Sequence, residues 1–403
     1  TVAGRRGDWT GVEAAWREWV ADHPRDVDAW ERLGYAATRG ERPDAARTAL
    51  RRALALDSLS PTTWINLAGA ERHLGEARRP SSDPVAHFAA AAAAYDRAFS
   101  LDSTAAQRAF LMHEYGGVLY LAGRRADALA LYRRLAAEGA PPAQGNAHRS
   151  LAWIAFADGT PAVAEAELAR AAEMHATLHE VLSEARDHLL RAAALDAMGD
   201  SAAARAALAR AAALTARQRL PATFIGWLGA ALVRHGELAQ ARALLATLAT
   251  PDDGSPSRTN ARDLLAGTLA AAERRDAEAE SSLAAAAAYA PQELIALDAQ
   301  AWAAWTRATR ASGAARALAL DSAAQRYARL GDGRAFGWEG ALGWITAPYW
   351  LGRVEEERSR PDAARRAYAE FLARQPGPRA DERPASWVVR DARRRLASPS
   401  TTR

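Results

Sequence analysis

An all-α solenoid of paired helices is the fold class this sequence predicts, and three observations predict it. Trp30-Glu-Arg-Leu33-Gly34 returns as Trp64-Ile-Asn-Leu67-Ala68, a spacing of 34 residues, which is the period of a helix-turn-helix unit. Of the 403 residues, 49% are apolar, and much of that is alanine, the best helix former and small enough to let helices approach closely. Finally, a turn glycine, a small residue five positions on and a bulky residue four beyond that recur along the chain. Each unit of such an array buries its apolar face only against its neighbours, so the product is a long curved surface.

The first full unit runs through Trp30, Leu33, Gly34, Gly40, Ala45 or Ala46, Ala53 and Asp57, with one residue slipped at the turn. The second has Trp64, Leu67, Ala68, Gly75, then Tyr95, Ala98, Leu101 and Asp102; it carries an insertion near 78–85, where Pro80 to Pro84 predict a loop. Asp83 is placed to cap a helix beginning at Pro84. Further units follow at Tyr115-Gly116 to Tyr132, Leu151-Ala152 to Ala171, Gly199 to Ala211, and Leu228-Gly229 to Leu245. The pattern weakens through Leu265-Ala266 and Leu283. Residues 290–345 read as an irregular connecting region, helical but out of register. Register returns at Leu351-Gly352, Ala364, Tyr368, Phe371 and Pro376. Residues 386–397 then form a capping helix, with Trp387 and Val388 covering the last repeat, and 398–403 a disordered tail. At the other end, Gly7, Asp8, Val12, Trp16, Trp19 and Pro24 fit the turn and second helix of a unit. Only Thr1 to Arg6 stand where its first helix belongs, so the chain reads as beginning half-way through a repeat.

These residues resemble the tetratricopeptide family, which places a large residue and Leu-Gly on helix A, a glycine at the turn, and alanines flanking an aromatic on helix B. The resemblance implies a right-handed superhelical solenoid of eight or nine units over 1–397, binding partner proteins or peptides without catalysis. The last sixty residues or so also resemble the tail of bacterial proteins that join such repeats to an N-terminal kinase or DNA-binding domain. That likeness offers a second expectation, a regulatory arm of a signalling protein.

Composition removes whole chemistries. All 52 basic residues are arginine, and cysteine is absent. Schiff-base, P-loop and kinase lysines are therefore excluded within this chain, as are thiolate nucleophiles, disulfides and thiolate zinc sites. The formal charge is only +4. Arginines and acids interleave at i,i+3 and i,i+4, which predicts a salt-bridged surface and no nucleic-acid partner. No stretch of about 18 uninterrupted apolar residues exists, and the alanine run 89–94 is far too short to span a bilayer, so membrane insertion is not expected. A cytoplasmic protein is the expectation, or a periplasmic one if a signal or membrane segment lies upstream.

Candidate sites divide between packing and binding. Trp16, Trp30, Trp64 and Trp350 fall at or beside helix-packing positions and are expected in the core. By the resemblance, Tyr35, Arg39, Asn66, Arg72, His73, Tyr120, Trp153, Phe156, Trp227 and Arg234 fall on the part of helix A that faces the concave groove. Aromatic faces alternating with guanidinium groups suit extended peptides with apolar anchors and carboxylates. The family's carboxylate clamp uses Lys and Asn. Asn66 fits one position, but without Lys that mode is not expected. His175 and His179 have chelating spacing yet no third ligand, so they read as a solvated pair, like His113-Glu114. The glycine-rich run Gly331 to Gly343 has no preceding strand and no Lys, and reads as a mobile connecting loop. No catalytic constellation, metal site or cofactor is expected.

Overall fold

The structure is a computed structural model that describes residues 9–76, 83–105, 108–249, 255–289, 294–337, 341–375 and 385–397. Among these there are twenty α-helices and no strand. In chain order they are α1 Trp9–Asp22, α2 Val27–Arg39, α3 Pro43–Leu56, α4 Pro61–Glu76, α5 Pro84–Leu101, α6 Ala109–Leu121, α7 Arg125–Glu138, α8 Pro141–Ala157, α9 Pro161–Thr177 and α10 Val181–Met198. They continue as α11 Ser201–Leu214, α12 Ala222–Arg234, α13 Leu238–Ala249, α14 Pro256–Ala272, α15 Asp276–Tyr289, α16 Leu294–Arg310, α17 Gly313–Gly331, α18 Ala341–Glu357, α19 Pro361–Arg374 and α20 Trp387–Ala397. The readings at Thr1 to Asp8, 78–82, Pro376 and 398–403 lie outside the described residues.

The chain divides into two compact units, residues 1–134 with 334–336, and residues 135–333 with 337–403. In the first, α1 to α6 pack each on the next, and α2 also meets α4. In the second, successive helices pair in the same way. Contacts of α10 with α12, α12 with α14, α14 with α16 and α16 with α18 make every second helix part of one continuous layer. That is the stacking a repeat array requires, because each helix pair buries its apolar stripe on its neighbours.

Local sequence explains the helix boundaries. Proline opens α3, α5, α8, α9, α14 and α19 within the first turn, where its missing N–H costs nothing and its φ is already helical. Asp83 caps α5 by accepting from the amides of Val85 and Ala86, as its position before Pro84 predicts. The slip at the first turn has a simple cause: Gly40 has φ −87°, and the left-handed residue is Glu41 at φ 58°. Gly199 takes that conformation at φ 91° at the end of α10, where a residue with a Cβ pays roughly 1–2 kcal/mol.

The crossings within pairs repeat one small-into-large device. A Cβ built on Gly34, Gly116, Gly267 or Gly352 would meet Leu50, Tyr132, Leu283 or Tyr368, each sixteen residues on, at 2.4 to 2.7 Å. Gly229 stands 2.5 Å by the same measure from Leu265. The backbones approach this closely only because these positions lack a side chain. The 34-residue echo extends to a hydrogen bond: the indole N–H of Trp30 donates to Pro24 O at 3.1 Å, and that of Trp64 to Ser58 O at 3.0 Å. Trp16, Trp30 and Trp64 pack on apolar clusters of the first unit, as expected.

Residues 290–345 correct the expectation of an irregular connection. α16 and α17 form one of the most closely packed helix pairs of the chain, built on alanines at 296, 299, 301, 304, 308, 319, 323 and 324. The repeat motif is lost there while the pairing persists, since alanine at the crossing substitutes for the Leu-Gly signature. The glycine run is corrected too. Gly331 ends α17, Gly343 lies in α18, and residues 332–337 form the described loop. Phe336 stacks on Tyr132 at 5.8 Å, filling the space that a Cβ on Gly117 would need, so this part of the run is packed.

Candidate functional site

In the first unit, the groove residues settle into local partnerships. Tyr35 is exposed and meets Trp9 edge-on at 5.9 Å; the Arg39 guanidinium lies over the same indole at 5.3 Å. Arg72 donates two hydrogen bonds to Glu76, at 2.8 and 3.0 Å, which spends the cation expected to meet a partner's carboxylate. His73 is pushed down to about 4, first by burial and then by the neighbouring Arg72, so it is neutral at pH 7. Asn66 is half-buried on α4, and Tyr120 is half-buried with its ring 6.1 Å from Phe336.

In the second unit, Trp153 corrects the groove expectation outright. It is wholly buried, and Ala152 to Ala157 are buried on every side of α8. The C-terminal segment meets the end of α8 and the turn after it: the Gln375 side-chain amide donates to Phe156 O at 2.5 Å, Ser386 N to Gly159 O at 3.4 Å, and α20 touches α10.

Phe156, Trp227 and Arg234 do converge. They line a cavity of about 720 Å³ within the second unit, together with Trp302 and Trp305 of α16, Tyr327 of α17, Trp350 of α18 and Trp387 of α20. Arg234 pairs with Asp298 at 2.8 Å and lies over Trp302 at 5.6 Å. Trp305, Trp350 and Trp387 form a continuous aromatic wall, with centroids 6.5 Å and then 6.3 Å apart. Arg186, Arg205, Asp196 and His235 supply further polar lining; burial lowers the His235 pKa against the pull of Asp196. A concave, mainly apolar cavity of this size with a few fixed polar groups is the usual form of a ligand site.

Sequence reasoning missed most of this wall. Trp350 was expected in the core and Trp387 only as a cover, while Trp302, Trp305 and Asp298 fell in the stretch read as irregular. A signal was present: Asp298, Trp302, Trp305 and Thr309 share one helical face at three- and four-residue steps.

A second polar cluster was also missed. Contrary to the solvated-pair reading, His175 is wholly buried, and Asp187 lies between it and Arg149: His175 Nδ1 is 2.6 Å from Asp187 Oδ2, and Arg149 Nε donates to Asp187 Oδ1 at 2.5 Å. Gly145 leaves room for the ring, since a Cβ there would meet His175 Nε2 at 2.5 Å. His179 lies beyond the end of α9 at φ 57° and shares no helix face with His175. Among the described residues no three His, Cys, Asp or Glu side chains gather as metal ligands, and no helix is long and apolar enough to cross a membrane.

A family model described as tetratricopeptide repeat matches residues 27–70, the span of α2, α3 and most of α4. No curated protein matches the chain in sequence. Among solved structures, the chain is similar to MamA (20% identity, 44% of this chain and 95% of that one, TM-score 0.37). It is likewise similar to PilF of Pseudomonas aeruginosa (20% identity, 58% of this chain and 96% of that one, TM-score 0.36). The matched repeat, its 34-residue echo, and helix pairs that cross with a bulky side chain over a glycine in both units lead to one conclusion: the chain is an all-α helix-pair repeat protein that carries a tetratricopeptide repeat at residues 27–70.

Proposed function

We propose that this protein is a non-catalytic interaction scaffold whose partner, a peptide segment of another protein, is held in the tryptophan-lined cavity of the second unit. The observation that carries this reading is the convergence of five indoles from α12, α16, α18 and α20 on one cavity. Tryptophan supplies large contact area with few rotatable bonds and dominates binding energy where it is shielded from water. In the first unit the expected groove arginines Arg72 and Arg39 are instead engaged with Glu76 and with Trp9.

The test is an array of random-sequence dodecamers probed with the full chain and with a Trp305→Ala/Trp350→Ala variant of unchanged helicity. A subset of peptides retained by the parent and lost by the variant is expected. Equal retention by both would refute the assignment of the cavity.

A further inference from the structure

We infer that the aromatic pocket on α6 of the first unit is a binding site for a phenylalanine-bearing segment of a partner protein, and that residues 334–336 fill it as an internal ligand which such a partner displaces. The site does not depend on the tryptophan-lined cavity of the second unit. Its wall is one helix face. His113, Gly117 and Tyr120 follow at four- and three-residue steps on α6, which puts them on one side of the helix. Tyr132 of α7 lies beside them, its ring 6.1 Å from His113. The Phe336 ring sits among these groups, 5.8 Å from Tyr132 and within 15° of parallel to it, and 6.1 Å from both His113 and Tyr120. At such separations ring pairs attract beyond the area they bury.

The pocket is shaped for a ring. Gly116 makes room for Tyr132, as the glycines of other pairs make room for their partners, but Gly117 serves no such crossing: the three atoms nearest a Cβ built there all belong to Phe336, at 2.6 to 3.0 Å. A second glycine inside the helix weakens it, and what it admits is a side chain from more than two hundred residues away. Tyr132 is wholly buried and donates its hydroxyl to His113 O at 2.6 Å, so the floor of the pocket is held by α6 and α7 themselves. The occupant has the character of a ligand. Residues 334–336 group with the first unit, whereas residues 333 and 337 on either side group with the second. Gly337, at φ 107°, turns the chain away again in a conformation that a side chain opposes. Phe336 is only half-buried, while Phe88, Phe224 and Phe371, which serve packing, are wholly buried. A partner offering the same ring can therefore replace it. Ala335 and Gly337 flank the ring, so the matching segment is an extended one with phenylalanine between small residues. The tethered ring competes with it at an effective concentration of about a millimolar, and partner affinity is reduced by the fraction of time the pocket stands vacant.

The experiment titrates labelled, acetylated and amidated Asp-Gly-Arg-Ala-Phe-Gly, the sequence of residues 332–337, with the full chain and with its Phe336→Ala variant, read by fluorescence anisotropy. Phe336→Ala, whose pocket is always vacant, should bind the peptide at least about tenfold more tightly than the parent. The same peptide with alanine in place of phenylalanine should bind neither protein. Phe336→Ala/Gly117→Leu fills the pocket from α6 and should lose the peptide, with circular dichroism verifying its fold. Thermal melting of Phe336→Ala should stay within about 3 °C of the parent, as a displaceable contact requires. Equal affinity of the parent and Phe336→Ala, including no binding by either up to about 1 mM, would overturn the proposal. Peptide retained by Phe336→Ala/Gly117→Leu would overturn it as well, and so would loss of the cooperative melt in Phe336→Ala, which would make Phe336 a core residue of the unit.

Discussion

Replacing Gly34 with alanine tests the packing device that recurs at Gly34, Gly116, Gly267 and Gly352. The added Cβ would sit 2.4 Å from Leu50 Cγ and 2.7 Å from Leu50 Cδ2, roughly 1 Å inside an ordinary carbon–carbon contact of about 3.5 Å. Cγ is not the free end of a flexible chain, and Leu50 is wholly buried between α2, α3 and α4, so it has nowhere to retreat. Overpacking of this kind costs about 1–3 kcal/mol. Against it stands the intrinsic gain of alanine over glycine inside a helix, about 1 kcal/mol. Gly69 isolates that gain, since it lies in α4 with nothing within 4 Å of its would-be Cβ. Gly69→Ala should therefore stabilise by about 1 kcal/mol, while Gly34→Ala should be neutral or destabilise by up to about 2 kcal/mol. The gap between the two variants, about 1–3 kcal/mol, measures the clash. Urea titration followed by circular dichroism gives the difference, and hydrogen exchange of α2 and α3 localises it, because repeat arrays open unit by unit. Equal shifts of the same sign in both variants would refute the close crossing.

Two further outcomes follow from the buried polar groups. Asp187→Ala should destabilise the second unit by about 3–5 kcal/mol, since it strands the buried Arg149 guanidinium without its carboxylate; thermal unfolding indistinguishable from the parent would disprove that pairing. Asp391 is held at about 2: burial pushes its pKa up, but hydrogen bonds from Arg395, Arg394 and Tyr349 outweigh it. The folded pKa is thus below the ordinary 3.8, and the stabilisation, about 2 kcal/mol, is present above pH 4 and lost as pH falls towards 2. Asp391→Asn should lie below the parent by that amount at pH 7 and converge with it near pH 2; curves that stay parallel in stability across that range would contradict the assignment.

The sequence by itself determined the helical pairs. A 34-residue echo, prolines at helix starts, Asp83 as a cap and glycines opposite bulky residues are local or near-local signals, and each corresponds to backbone geometry within one repeat. What it could not determine is which side chains meet between repeats far apart in the chain. The hydrogen bond from Gln375 to Phe156 spans 219 positions and ties the C-terminal segment to the end of α8. The Asp187 bridge between Arg149 and His175 likewise joins three helices. The tryptophan wall draws on α16, α18 and α20, and one of those helices carries no repeat motif at all. Periodicity reports the face a residue occupies on its own helix; whether that face ends against solvent, a neighbour or a cavity is set by the curvature of the stack, which sums small rotations over many repeats and is written in no single stretch of sequence.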